Sequence, residues 1–210
     1  MSDRTVSGAR IEPQWQSAFA RVFDLCAARS GETLTVLAET RSRQLNLTVA
    51  TAALGELQLE HNVVTVPSKP ASAGPIVRST GASTALTGES DAVARLHDSD
   101  LVIDLTVEGL MHAPETAAIL KSGARIMTVS NEHPDILARL VPQPDMKDIV
   151  RDAVAACRAT ARMTVTSLAG TDLEIDITDM PAVGVWGWTD RPGTLAHWPG
   201  GLVVGFPREG

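Results

Sequence analysis

Short apolar runs alternate with stretches of helical periodicity between about residues 33 and 162, and this alternation constrains the fold more than any other feature. Strands are predicted at residues 33–39, 62–66, 100–106 and 124–129, and helices over residues 42–57, from near Pro114, and over residues 145–162. Strands that alternate with helices are typical of a parallel sheet with right-handed crossover connections. We therefore predict that residues 1–162 form an α/β domain with a Rossmann-like parallel sheet.

The helix predicted over residues 145–162 carries the clearest apolar stripe. Its apolar residues follow the spacing i, i+3, i+4, i+7, i+8 and i+11, and they are Met146, Ile149, Val150, Ala153, Val154 and Cys157. This spacing places them on one face of a helix. We assign this helix to the α/β domain.

After residue 162 the apolar pattern changes to a period of two. Apolar and polar residues alternate in "TDLEIDIT", so this segment and "MTVTS" are predicted to form a β-hairpin that turns at Ala169-Gly170. A Gly/Pro/Trp-rich stretch and a strand-like run, "GGLVVGFP", follow. Residues 163–210 are therefore predicted to begin a β-rich second domain. Because little sequence remains to pair with the last strand, we expect the rest of that domain to be missing.

The composition argues against several classes of protein. A formal net charge of −7 leaves no basic face for a nucleic acid. No apolar run approaches the roughly 18–20 residues that a membrane span requires, and the N-terminus lacks the apolar core of a secretory signal. Cys26 and Cys157 are the only cysteines and lie among helix-forming residues. We expect two reduced, buried thiols in a cytoplasmic protein.

The segment after the strand at residues 100–106 is the first candidate site. Ligands of open α/β sheets bind beyond the carboxyl ends of the strands. No glycine-rich phosphate-binding motif follows the first strand, so a classical dinucleotide site is not expected. The segment "DLTVEGLMHAPE" instead offers four ionisable residues within twelve positions: Asp104, Glu108, His112 and Glu115. Two interpretations of His112 stay open, a functional imidazole or part of a helix N-terminus.

Two other polar clusters have structural explanations. "SNEHPD", residues 130–135, is typical of a helix start, with Ser130 or Asn131 as the N-cap. The carboxylates that alternate over residues 172–176 indicate the solvated face of a hairpin. No histidine or cysteine accompanies them at metal-ligand spacing, so no metal site is predicted there.

"VWGWTDRPGTLAHWPGG", residues 185–201, is the second candidate site, and it holds three of the four tryptophans of the chain around His197. Its glycines and prolines fix unusual backbone conformations. Tryptophans beside an imidazole can form a partly dry pocket in which the ring acts as an acid or base. Asp190 and Arg191 would close the rim of that pocket. The alternative is a structural loop whose tryptophan side chains seal a small core.

These segments resemble a known family. "DLVIDLTVEGLMHAPE", "SNEHPD", "RMTVTSLAGTDLEID" and above all "GVWGWTDRPGTLAHWPGGLVVGFP" are similar to the N-terminal half of the 2,5-dihydroxypyridine 5,6-dioxygenase family. The resemblance runs from about residue 20 to the end of the chain. The wider superfamily includes metallopeptidases of the aminopeptidase T type, to which the Trp-rich loop is less similar.

The resemblance implies an iron-dependent, ring-cleaving enzyme whose partners are a small aromatic N-heterocycle and O₂. In this family a non-haem Fe(II), held by two histidines and one aspartate, binds the dihydroxypyridine and O₂. The ring opens between C5 and C6 to give N-formylmaleamate. These ligands belong to the C-terminal domain of the family, so we expect them beyond residue 210 and assign none of the five histidines as a ligand.

The resemblance also implies roles for particular residues. His112 matches a histidine that approaches the substrate and shuttles protons, and His197 matches one that lines the iron site; both are predicted to be catalytic. Met111, Trp188 and Asp190 are predicted to contribute to substrate binding. We expect a cytoplasmic homo-oligomer, and we expect residues 1–210 alone to be inactive.

Two other functions stay open. A metallopeptidase of the aminopeptidase T type would have a two-metal site rich in glutamates downstream, in place of two histidines and an aspartate. A stand-alone α/β domain would bind a small molecule or mediate assembly only. In that case, replacing His197 by alanine would change no measurable property except stability.

Overall fold

The computed structural model describes residues 5–6, 9–69 and 83–206. Its strands are β1 Thr5–Val6, β2 Ala9–Arg10, β3 Leu34–Glu39, β4 His61–Val66, β5 Leu101–Asp104, β6 Arg125–Val129, β7 Arg162–Thr166, β8 Asp172–Asp176, β9 Ala182–Val185, β10 Leu195–Trp198 and β11 Leu202–Gly205. Its helices are α1 Pro13–Leu25, α2 Gln44–Glu56, α3 Ser90–His97, α4 Thr116–Lys121, α5 Pro134–Arg139 and α6 Met146–Arg158. The described residues form two compact units: unit 1 lies within Met1–Pro142 and Gly187–Pro199, and unit 2 within Gln143–Trp186 and Gly200–Gly210.

Unit 1 contains a parallel sheet of five strands in the order β10-β6-β5-β3-β4. The strand β3 pairs with β4 on one side and with β5 on the other, so the direction of winding reverses between β3 and β5. In open α/β sheets such a reversal marks the place where ligands bind, beyond the carboxyl ends of the strands. The predicted α/β fold with a parallel sheet is confirmed.

Helices cover both faces of this sheet. The strands β5 and β6 are buried along their whole length, which explains why they stand in the sequence as continuous apolar runs. On one face, Leu96 of α3 and Ile119 of α4 share an apolar cluster with Val102 of β5. On the other face, Phe19 of α1 packs edge-to-face against Trp198 of β10, with ring centroids 5.0 Å apart.

Unit 2 consists of α6 and two antiparallel strand pairs, β7–β8 and β9–β11. The helix α6 packs against β9 and β11. Gly184 of β9 permits this approach, because a Cβ atom there would lie 2.5 Å from Val150 Cγ1 and 3.1 Å from Val154 Cγ2. The predicted hairpin is confirmed as β7–β8, and its turn includes Gly170 with a φ of +97°.

The division of the chain differs from the boundary expected at residue 162. The helix α6 lies in unit 2, because its apolar stripe packs against β9 and β11. Within that stripe Val150 is buried, whereas Ile149 is 55% exposed. Residues 187–199 belong to unit 1, because β10 pairs with β6. The last strand, β11, pairs with β9.

Some elements were not predicted, among them α1 and β10. A loop rich in Pro, Ser, Ala and Gly is predicted at residues 68–75, and from residue 70 onward it lies outside the described residues. In the described part of the chain, no helix combines the length and apolar content needed to cross a membrane. Cys26 is buried, Cys157 is partly exposed, and both are free thiols.

Candidate active site at the carboxyl edge of the sheet

The segments that carry His112 and His197 both lie at the carboxyl edge of the parallel sheet. His112 lies in the connection between β5 and α4, and His197 lies in β10, one residue before the end of the strand. Because β5, β6 and β10 run in the same direction, their carboxyl ends lie along the same edge. The strand β10, which the sequence did not predict, is therefore the element that brings His197 to this edge.

The Asp104 carboxylate, at the end of β5, is the central acceptor of the β5–α4 connection. It is fully buried. Its Oδ1 accepts hydrogen bonds from the Thr106 backbone N–H at 3.0 Å and from the Thr106 hydroxyl at 2.7 Å. Its Oδ2 accepts from the Leu110 N–H at 2.6 Å and from the Thr128 hydroxyl at 2.9 Å. Burial raises the pKa of Asp104, and these hydrogen bonds oppose the rise because they stabilise the ionised form.

The same connection packs closely on the sheet at two further points. Gly109 has a φ of +71°, and a Cβ atom there would lie 2.6 Å from Thr128 Cγ2, so a larger residue would force a shift. The Val107 N–H donates to Glu39 Oε1 at 2.7 Å. Because Glu39 ends β3, this bond ties the connection to the point where the winding of the sheet reverses.

Burial alternates in the middle of this connection. Leu110 and Ala113 belong to the apolar cluster on the sheet, and the Thr116 hydroxyl donates to the Leu110 carbonyl. Between them, Met111 and His112 are exposed. The buried residues therefore fix the backbone, and the imidazole of His112 stays accessible to a ligand.

The ring of His197 is oriented by the backbone directly after its strand. Its Nδ1 lies 3.0 Å from the Pro199 carbonyl oxygen. A carbonyl oxygen only accepts hydrogen bonds, so Nδ1 carries the proton and Nε2 of the neutral ring holds the lone pair. His197 pairs in register with Thr128, whose hydroxyl reaches Asp104. Paired residues of neighbouring parallel strands point to the same side, so His197 and the connection that carries His112 share one face of the sheet.

Trp198 does not lie on the same face of the sheet as His197. Trp198 follows it in β10 and points to the opposite face, because successive strand residues alternate. There it packs against Phe19 and donates its Nε1–H to the Leu140 carbonyl at 2.8 Å. Trp188 is buried, with 4% of its surface exposed. Trp198 therefore fits the second interpretation of this segment, a structural loop whose tryptophan side chains seal a small core.

Asp190 lies toward the opposite edge of the sheet from His197. The segment before β10 runs beside the start of β6, where the Gly193 N–H donates to the Gly123 carbonyl at 3.1 Å. The structure therefore does not bring Asp190 together with the two histidines. Its part in substrate binding stays a prediction, as does that of Trp188.

The other polar clusters have structural roles. The helix α5 begins at Pro134, as predicted, but its N-cap is His133, whose Nδ1 accepts a hydrogen bond from the Asp135 N–H at 3.2 Å. Asn131 instead accepts from the Arg43 N–H at 2.9 Å. Among residues 5–6, 9–69 and 83–206, no group of three or more His, Cys, Asp or Glu side chains could hold a metal ion.

Two cavities are lined by other residues of the described chain. One, of about 360 Å³, lies between α6 and β9 in unit 2, and Trp186 is among its lining residues. The other, of about 930 Å³, lies at the amino ends of β3 and β4, where Glu32 and His61 line it. Neither cavity is lined by His112 or His197. The candidate site is therefore defined by side chains at the carboxyl edge and not by either cavity.

Comparison with known proteins identifies the family. The sequence model of the family described as "NicX: 2,5-dihydroxypyridine 5,6-dioxygenase" matches residues 14–210. The chain belongs to this family. It is 32% identical over 198 residues to 2,5-dihydroxypyridine 5,6-dioxygenase of Pseudomonas putida KT2440. That alignment covers 93% of this chain and 56% of the relative. The solved structure of 2,5-dihydroxypyridine dioxygenase from Pseudomonas putida KT2440 matches with a TM-score of 0.79 and 31% identity, covering 98% of this chain and 58% of that chain.

The chain thus spans somewhat over half the length of these relatives. The resemblance inferred from the sequence is confirmed, and the structure adds residues that sequence reasoning did not single out. Thr128 and Glu39 contact the connection that carries His112, and Gly109 lies within that connection, close to Thr128. The sequence could have indicated Gly109, because a glycine between a buried strand and a helix often marks a close approach of the backbone. The contact between Thr128 and Asp104 depends on strand register, which the sequence does not display.

Proposed function

We propose that this chain is the N-terminal part of a non-haem Fe(II) dioxygenase. The reaction opens the ring of 2,5-dihydroxypyridine between C5 and C6 with O₂ and gives N-formylmaleamate. The observation that carries this proposal is the family match over residues 14–210. A relative that is 32% identical bears the name of the same reaction. The arrangement of two histidine-bearing segments at the carboxyl edge of an open parallel sheet agrees with a small-molecule site.

The described residues of this chain do not fit the iron triad of the proposed enzyme. They contain no cluster of three or more His, Cys, Asp or Glu side chains that could hold a metal. The Nδ1 of His197 is hydrogen-bonded to the Pro199 carbonyl. We therefore place the Fe(II) ligands beyond residue 210, in the part of the family's length that this chain does not span, and we assign none of its residues to the metal.

Within this chain, His197 and His112 are the proposed acid–base and substrate-orienting groups. The Nε2 atom of His197 is an acceptor in the neutral ring, so it can take a hydrogen bond, or a proton, from a substrate hydroxyl. His112 is exposed on a backbone that the buried Asp104 holds in place, which suits a group that exchanges protons with a bound ligand. Met111 beside it offers a polarisable apolar contact to an aromatic ring.

Binding of 2,5-dihydroxypyridine to the chain, measured by isothermal titration calorimetry in the absence of O₂, tests these roles. The variants His112→Ala and His197→Ala are each expected to weaken binding about 5- to 30-fold, since each removes one hydrogen bond worth roughly 1–2 kcal/mol.

The matched control is His61→Ala. Like His197, His61 is half-buried, and its Nδ1 lies near a backbone carbonyl, that of Leu59 at 3.1 Å. It begins β4 at the amino edge of the sheet, away from the proposed site. Its substitution is therefore expected to leave binding unchanged. An equal loss in all three variants, or no binding by the wild-type chain, would contradict the proposed roles.

We also propose that the protein is a cytoplasmic homo-oligomer. The two free thiols support a reducing compartment, and the acidic net charge of −7 agrees with a protein that binds neither nucleic acid nor membrane surfaces. The homo-oligomer rests on the family resemblance alone. Sedimentation of the protein as a monomer at micromolar concentration would contradict it.

A further inference from the structure

Asp104 makes an unusually complete set of contacts for a buried carboxylate. It is 0% exposed, and its four hydrogen bonds come from two neighbouring segments of unit 1. Thr106 and Leu110 belong to the connection after β5, and Thr128 belongs to β6. The carboxylate therefore joins the start and the middle of the connection to the adjacent strand. Hydrogen bonds to an ionised acceptor in a dry interior are among the strongest in proteins.

The arrangement of donors demands a carboxylate at this position. Each of its two oxygens accepts one backbone N–H, from Thr106 at Oδ1 and from Leu110 at Oδ2. An asparagine amide would have to place its NH₂ group against one of these two N–H donors. A threonine hydroxyl can reverse its role and accept, but a backbone N–H cannot. Replacing Asp104 by asparagine therefore leaves at least one buried N–H without an acceptor.

The hydrogen bond from the Leu110 N–H to Asp104 lies directly before Met111 and His112, the two exposed residues of the connection. Leu110 is buried, its carbonyl accepts from Thr116, and the next two residues are Met111 and His112. Among the residues that the structure describes, Asp104 is the one hydrogen-bond acceptor of the Leu110 N–H. Loss of this bond frees the backbone directly before the imidazole, while the sheet beneath keeps its strand pairing.

We propose that Asp104 is a positioning residue for His112. By holding the Thr106 and Leu110 amides and the Thr128 hydroxyl together, it sets the place of the His112 imidazole at the carboxyl edge of the sheet. This inference rests on the proposed function of His112 as an acid–base or orienting group. Asp104 itself, fully buried, does not contact the ligand.

The test compares the full chain with its Asp104→Asn variant by NMR and by titration with 2,5-dihydroxypyridine. In the variant, hydrogen exchange of the Thr106 and Leu110 amides is expected to accelerate at least 10-fold, and the imidazole signals of His112 are expected to shift. Binding is expected to weaken by about the same factor as in His112→Ala. The double variant with His112→Ala is expected to bind no more weakly than His112→Ala alone, because both changes act through one imidazole.

Asp100→Asn is the matched control. Asp100 precedes the same strand, and its carboxylate accepts the Thr33 N–H at 2.8 Å, but at the amino end of β5. It is expected to leave the His112 signals and ligand binding unchanged. If Asp104→Asn does not fold, Thr128→Val takes its place, since valine keeps the branched shape and removes only the hydroxyl donor to Oδ2. Its expected effects have the same direction and are smaller, about 3-fold.

The outcomes separate this inference from the proposed function. Faster amide exchange with unchanged His112 signals and unchanged binding would make Asp104 a purely structural residue and overturn the inference. Unchanged amide exchange in a folded variant would overturn it as well. If the wild-type chain does not bind 2,5-dihydroxypyridine, the proposed role of His112 in ligand binding fails, and the His112 signals alone decide whether Asp104 positions that side chain.

Discussion

Cys26 and Asp104 are both buried ionisable groups, and their surroundings give them different behaviour. Asp104 has four donors that stabilise its charge. Burial raises the pKa of the Cys26 thiol to about 12, and the charge of Asp190 adds to this rise. A backbone hydrogen bond from Thr189 and the charge of Arg125 lower the pKa, but they offset only part of the rise. A thiol in such surroundings stays protonated and unreactive, which agrees with a structural role.

This shift predicts a loss of stability at alkaline pH. The folded-state pKa of Cys26 lies above its ordinary value of 9.0, so the unfolded state releases the proton first as the pH rises. The stability contributed by the protonated thiol is therefore complete below about pH 9 and is lost between about pH 9 and pH 12. At pH 10 we expect a loss of about 1 kcal/mol in the free energy of unfolding.

Urea unfolding at pH 7.5 and pH 10 measures this loss. The difference between the two pH values is expected to shrink in Cys26→Ala and to stay unchanged in Cys157→Ala, whose thiol is partly exposed. Because each variant is compared with itself at two pH values, the cost of the cavity left by the substitution cancels. The same alkaline loss in all three proteins would rule out Cys26 as its origin.

At the scale of secondary-structure elements, the contact between α6 and the β9–β11 pair depends on one missing side chain. A Cβ atom at Gly184 would lie 2.5 Å from Val150 Cγ1, which is closer than real Cβ contacts allow. An isolated pair of strands is only marginally stable, so packing against a helix is what stabilises it. The apolar spacing of α6 shows that the helix has a buried face but does not show which strands it covers.

Gly184→Ala is therefore expected to destabilise unit 2 by roughly 1–3 kcal/mol, the usual range for adding a methyl group to a packed contact. Urea unfolding followed by circular dichroism measures it. The double variant Gly184→Ala with Val150→Ala provides space for the new methyl group and is expected to recover part of the loss. Gly55→Ala is the control, since a Cβ atom there meets nothing within 4 Å and alanine favours the helix α2. Equal destabilisation by both single variants would contradict the close packing at Gly184.

At the scale of the whole molecule, much of the fold could be predicted because buried parallel strands leave continuous apolar runs in the sequence. The strand β10 could not, since four residues inside a Gly/Pro-rich segment carry no period of their own. That strand also decides the candidate site, because it brings His197 to the edge where His112 follows β5. Position after a buried strand was enough to single out His112. The separation of Asp190 from the histidines depends on tertiary pairing, which local sequence does not encode.

The chain by itself is expected to lack ring-cleaving activity. Its described residues hold no group of side chains that could bind a metal, and it spans 56% of the length of its Pseudomonas putida relative. Residues 1–210 supplied with Fe(II), O₂ and 2,5-dihydroxypyridine are therefore expected to open no ring, as judged by substrate absorbance and by mass spectrometry for N-formylmaleamate. The Pseudomonas putida enzyme, assayed in parallel, is the positive control. Ring opening by residues 1–210 would contradict the placement of the iron ligands beyond residue 210.

The intact mass of the protein from its natural source tests the same placement independently: a mass well above 22.2 kDa supports it, and a mass near 22.2 kDa contradicts it.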